Sequence, residues 1–200
     1  VLGAALPRLE RLCLSGCLLL TASAARALAP HGALADLDLG WARRVNDGCV
    51  AAPPGAPPGA TRFRCLTALS LRGLARLTDR ALAALGAGVP HLAHLDASWS
   101  LGVSDAGVAH LEALPLRGLA LAGCALTDAS VAHARALTRL ERLDMSWVEA
   151  LTDAGCIGVV HIPELRTADL RFSGATHRLR RAVLEAGAAL DPPRAPAVLV

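Results

Sequence analysis

Leu116-Arg117-Gly118-Leu119-Ala120-Leu121-Ala122-Gly123-Cys124-Ala125-Leu126-Thr127-Asp128 holds the pattern that decides the fold. Leucines at its first, fourth and sixth places alternate with small or polar residues, as in a short strand buried on one side. Thr127 then stands where a hydroxyl caps a helix, and Asp128 puts a negative charge at the positive end of that helix dipole. Val131, Ala134 and Leu137 follow at helical spacing.

Outward from this unit the frame L-x-x-L-x-L returns at Leu9-Leu12-Leu14, Leu34-Leu37-Leu39, Leu66-Leu69-Leu71, Leu92-Leu95-Ala97, Leu140-Leu143-Met145 and Leu165-Ala168-Leu170. The copies start 24 to 26 residues apart, except for one interval of 32 between Leu34 and Leu66. That interval holds a Pro/Gly insert at 51–62, and removing about seven residues there restores the period. The capping residues stay in phase as Thr21, Asn46, Thr78, Ser104 and Thr152, and the aspartates as Asp47, Asp79, Asp105 and Asp153.

A unit of this size cannot bury its apolar face alone, so neighbours must stack strand beside strand and helix beside helix. The expected fold is an α/β leucine-rich repeat solenoid, a horseshoe with parallel strands on the concave face and helices on the convex face. Residues 1–190 form this domain, with about seven repeats of which the first is truncated, and 191–200 read as a Pro-rich tail. Val1 to Pro7 resembles the back half of a repeat helix, so the chain is expected to begin inside a repeat. Thr176 to Ala189 reads as a last, capping helix with the stripe Leu179, Val183 and Ala186.

Composition narrows the function classes. The 200 residues are 54% hydrophobic with a net charge of +3, and all 20 basic residues are arginine; the mean hydropathy is +0.44. Disorder is excluded, and so small a charge gives no footprint for nucleic acid. Without lysine there is no P-loop lysine and no Schiff base. Arg8, Arg11 and the run Leu12 to Leu20 imitate a secretory signal, but the repeat frame accounts for the same residues. No stretch is long and apolar enough to span a membrane. Six cysteines without a CxxC pair read as free thiols in a reducing compartment, hence a cytoplasmic protein with the nucleus also open to it.

The combined unit L-x-x-L-x-L-S-[GW]-C-x-x-[LV]-[ST]-D resembles the cysteine-containing leucine-rich repeat of the F-box/LRR proteins. It is most legible in Leu9 to Cys17, in Leu116 to Asp128, and in Asp96-Ala97-Ser98-Trp99 and Asp144-Met145-Ser146-Trp147. The similarity covers almost the whole chain, although the cysteine place holds Cys only at Cys17 and Cys124. In that family an F-box docks onto the adaptor of a cullin-based ubiquitin ligase while the repeats hold the protein to be ubiquitinated. The resemblance therefore implies a protein-binding module, the substrate-recognition part of an SCF-type ubiquitin ligase receptor, reaching adaptor and cullin through an F-box upstream. The alternative is a free-standing scaffold or inhibitor of the mitotic-exit-regulator or ribonuclease-inhibitor kind.

Two columns of residues carry the candidate binding chemistry. Place five of the strand frame holds Asp38, Asp96, Asp144 and Asp169, flanked by Arg72, Arg142 and Arg171 at places three and seven. They read either as a stripe for a basic partner segment or as carboxylates that keep the face soluble and bond to nearby backbone. Place eight runs Gly16, Trp41, Gly73, Trp99, Gly123, Trp147, Phe172. Tryptophans about 10 Å apart with glycine between them would leave slots for a bound side chain. Alternatively, each indole lies over its neighbour's glycine. The expected partner surface is Arg72, His94, Asp96, Trp99, Arg142, Asp144, Trp147, Asp169 and Arg171 on the concave strip.

No catalytic, cofactor or metal residues are expected. An open strand face has no closed pocket to separate two carboxylate pKa values, and neither HExxH nor G-x-S-x-G occurs. His110 and His133 stack on the helical side without a third ligand at metal-binding spacing. Cys17 and Cys124 are expected as small buried residues, with Cys13 exposed on the concave face.

Overall fold

The computed structural model describes residues 6–28, 32–51, 63, 65–189 and 196–199. The Pro/Gly insert beyond Ala51 and the first five residues lie outside these. The described chain is one stack of short parallel strands: β1 (Arg11–Cys13), β2 (Asp36–Asp38), β3 (Ala68–Ser70), β4 (His94–Asp96), β5 (Gly118–Ala120), β6 (Arg142–Asp144), β7 (Thr167–Asp169) and β8 (Ala197–Leu199). They pair in chain order in a single sheet. The register aligns the middle leucines, Leu37 on Leu69, Leu69 on Leu95, Leu95 on Leu119 and Leu119 on Leu143, so each strand turns the same face inward. Alternation then leaves the residues at places three and five on the open face of the sheet.

The other side carries α1 (Ala22–Arg26), α2 (Asp79–Gly88), α3 (Asp105–Ala109), α4 (Asp128–Ala134), α5 (Asp153–Cys156) and α6 (Leu179–Ala188). Strands sit about 4.8 Å apart whereas helices need about 8–10 Å, so the stack bends with the sheet inside. Between sheet and helices runs one core, from Ala25 and Leu28 through Leu82, Leu111 and Val131 to Leu179 and Val183.

The second repeat departs from the one-helix expectation: among its described residues the cap Asn46 is followed by the 3-10 turn Asp47–Cys49 in place of an α-helix. The last helix starts at Leu179, three residues after the predicted Thr176, whose hydroxyl accepts the Arg178 N–H at 3.3 Å. Inside the stretch 191–200, read from sequence as a tail, Ala197–Leu199 pairs with β7 as an eighth strand.

The cap residues behave as their types require. Thr78, Ser104 and Thr127 each accept a backbone N–H at the start of their own helix at 3.3 Å. The aspartates that follow the caps do more than meet a helix dipole. Each reaches into the next repeat and takes both hydrogens of its cap residue. Asp47 accepts Thr78 N–H and O–H at 2.7 Å each, and Asp79 accepts Ser104 at 2.8 and 2.7 Å. Asp105 holds Thr127, Asp128 holds Thr152, and Asp153 holds Thr176. A hydroxyl has one proton to give and lone pairs to take with, so each cap is used in both directions.

Candidate functional site: the concave sheet face

Place five of the strand frame lies where a carboxylate can turn back on its own chain. Oδ1 of Asp38, Asp96, Asp144 and Asp169 accepts the N–H two residues on, from Gly40, Ser98, Ser146 and Arg171 respectively. These bonds fix the exit of each strand, as Asx turns do. The acidic column is thus in large part structural. Oδ2 of Asp38 accepts the Cys13 thiol at 3.5 Å. Oδ2 of Asp96 lies 3.9 Å from Arg72, and Asp169 is clamped by Arg171 at 2.6 Å. That guanidinium holds the Asp169 carboxyl below its ordinary range.

Asp144 differs from the rest. Its Oδ1 also takes the Ser146 hydroxyl at 2.7 Å, and its strand neighbour Arg142 is exposed with no ion pair among the described residues. Both face a hollow of about 460 Å³ on the sheet, lined also by His94, Thr167, Asp169 and Leu199. Its floor is low because the fifth repeat places Gly118 and Ala120 where its neighbours carry larger side chains. The His94 ring leans over Gly118, where a Cβ would come within 2.7 Å of Nδ1.

Of the residues expected from sequence, His94, Arg142, Asp144 and Asp169 therefore meet at one hollow. Asp96 and Arg72 lie on the side toward β3, and Arg171 is occupied by Asp169. Trp99 and Trp147 lie past the strand ends. Place eight has a left-handed backbone in every repeat: φ is 73°, 68° and 64° at Gly16, Gly73 and Gly123, and 58°, 61°, 61° and 57° at Trp41, Trp99, Trp147 and Phe172. Of the two arrangements open to the tryptophans, the indole over the neighbouring glycine is the one formed, as with Trp41 over Gly73. Trp99 lies across Gly123, where a Cβ would be 2.6 Å from the ring, and its centroid is 6.0 Å from that of Trp147. Trp147 in turn stacks on Phe172 at 4.4 Å.

Gly118, Ala120, Thr167 and Leu199 were not among the expected contacts. The small pair at places three and five was a visible signal, whereas Leu199 had none, because its strand follows no complete repeat frame.

The cysteines divide by depth. Cys124 is buried, donates to Ala97 O at 3.3 Å, and has its pKa pushed up by burial to about 11. Ser100 makes the equivalent bond to Leu71 O one repeat earlier. Cys13 is exposed as expected. Cys17 is exposed rather than buried, because no described repeat precedes it to supply the facing carbonyl. Among the described residues no helix is long and apolar enough to cross a membrane, and no cluster of potential ligands could hold a metal ion. His133 is paired with Glu112 at 2.7 Å.

No family model matches the chain. Among solved structures it is similar to a chain from the yeast Rad7 and Elc1 complex, with a TM-score of 0.68 and 19% identity over 90% of this chain and 44% of that one. It is also similar to an internalin of Listeria monocytogenes, with a TM-score of 0.51 and 16% identity over 78% of this chain and 47% of that one. The chain thus spans less than half the length of either. With the stacked strands, these likenesses define its class as a leucine-rich repeat solenoid of the α/β kind.

Proposed function

We propose that this solenoid is a protein-binding module that holds its partner on the concave face, and that it serves as the substrate-recognition part of an SCF-type ubiquitin ligase receptor. The observation that carries the binding role is the hollow above Gly118 and Ala120, where the exposed Arg142 guanidinium, His94 and Asp144 line an apolar floor. Binding sites combine such a floor with a few placed polar groups. The likeness to a chain of a yeast complex of two proteins supports a docking role. The ligase setting rests on the repeat signature whose cysteine place holds Cys17 and Cys124. The module itself would be non-catalytic, take no cofactor, bind neither nucleic acid nor membrane, and act in the cytoplasm or nucleus.

The test is affinity purification of the full-length protein. Adaptor and cullin recovered at near-equal amounts support the ligase reading. Their absence from a folded protein leaves a free-standing scaffold or inhibitor. Partner capture should fall on replacing Arg142 and Asp144 by Ala with the circular dichroism unchanged, and capture that survives would move the binding site off the hollow.

A further inference from the structure

The strand ends carry a second surface with a character of its own. The hydrogen-bond ladder runs past each strand into place eight, Gly16 N–H to Gly40 O at 2.8 Å, Trp41 to Arg72 at 2.7 Å, Trp99 to Ala122 at 2.7 Å and Trp147 to Arg171 at 2.9 Å. The loops that follow are therefore stacked along one rim of the solenoid. Nine large hydrophobic side chains are exposed among the described residues, and six of them lie on this rim: Leu18, Leu19, Trp41, Leu101, Trp147 and Phe172. Scattered apolar residues need no explanation, but a concentration along one edge does.

The backbone sharpens the point. A left-handed φ suits glycine, and costs a bulky residue on the order of 1 kcal/mol or more. Three repeats use glycine there and four use an aromatic ring. Trp41 and Trp99 recover something by covering Gly73 and Gly123. Trp147 and Phe172 cover no glycine, stack on each other and remain 51% and 63% exposed.

The charge on the rim is one-sided. Its loops hold Arg43, Arg44, Arg72, Arg76 and Arg171 against the single acid Glu149, in a chain whose totals are 20 basic and 17 acidic. Arg72 and Arg171 face aspartates of the strand column. Arg43, Arg44 and Arg76 are exposed and make no ion pair among the described residues.

We propose that this rim docks an acidic segment of a partner protein, with leucine or aromatic anchors meeting the exposed rings and leucines and carboxylates meeting Arg43, Arg44 and Arg76. This site is separate from the concave hollow, and it stands whether or not that hollow is the substrate site. A single-stranded nucleic acid would use rings and arginines too, but Leu18, Leu19 and Leu101 offer it no stacking partner.

The experiment is selection of displayed random peptides on the full chain, followed by affinity measurement with the enriched peptides made synthetically and with oligo(dT). The expected result is enrichment of acidic peptides bearing leucine or aromatic residues. Their affinity should fall about tenfold or more in the triple variant Arg43→Ala, Arg44→Ala, Arg76→Ala, and weaken as salt rises. Trp147→Gly, which suits the left-handed backbone there and whose fold is checked by circular dichroism, should weaken the same peptides, whereas Arg142→Ala with Asp144→Ala should not. No enrichment, peptides without acidic residues, or equal binding to the rim variants would overturn the proposal. Tighter binding of oligo(dT), lost in the triple variant, would overturn it in favour of nucleic acid.

Discussion

The helix starts and the strand ends of this solenoid each carry a series of aspartates, and the two series use one side chain in different ways. At the helix starts Asp47, Asp79, Asp105, Asp128 and Asp153 reach forward into the next repeat and take two hydrogens from its cap residue. At the strand ends Asp38, Asp96, Asp144 and Asp169 accept the N–H two residues further along their own chain. The first series joins repeats that no hairpin or disulfide joins; the second shapes single turns. In a solenoid each repeat is held mainly by its neighbours, so interface contacts bear on the whole stack while local ones do not.

The largest expected effect lies in the first series. Asp79→Ala removes two charge-assisted bonds and leaves the part-buried Ser104 N–H without its acceptor. The cost should be about 2–3 kcal/mol, read as a lower urea midpoint at unchanged slope. A smaller slope would show instead that the stack separates between the third and fourth repeats.

Asp144→Ala removes only bonds to Ser146 in its own turn, and should cost about 1 kcal/mol. Asp144→Asn keeps an acceptor oxygen and should stay near the parent in stability, so it separates a turn effect from a binding effect at the hollow. If Asp144→Ala proves as costly as Asp79→Ala, the contrast between the two series fails.

Much of this is legible in the sequence alone. The leucine frame, the caps and the acidic column follow from period and residue type, since each depends on neighbours within one repeat. What escaped depends on the offset between repeats. Asp79 and Ser104 are 25 residues apart, and only the stacking of one helix start beside the next brings them together. Place eight was half legible: glycine in three copies already suggests a left-handed turn, but aromatics in the other four disguised it. Cys17 matches Cys124 in the frame and differs in burial, because burial at that place is supplied by the preceding repeat. The hollow was missed because its floor is defined by side chains that Gly118 and Ala120 lack.

The smallest effect is the most discriminating. Asp153 has its carboxyl held below the ordinary range, first by the Thr176 hydroxyl and then by the Thr176 N–H; Asp169 is held low mainly by Arg171. A depressed carboxylate lends stability that is fully present above its unfolded pKa, near 3.9, and is lost as pH falls through the folded value. Asp153 and Thr176 are 23 residues apart and part completely on unfolding. Asp169 and Arg171 are two apart, and stay near each other in the unfolded chain. Thr176→Val should therefore move the acid unfolding transition to higher pH. Arg171→Met should raise the carboxyl titration of Asp169 by NMR while moving the unfolding transition less. Equal shifts of the transition would mean that the local pair is as specific to the folded state as the clamp between repeats.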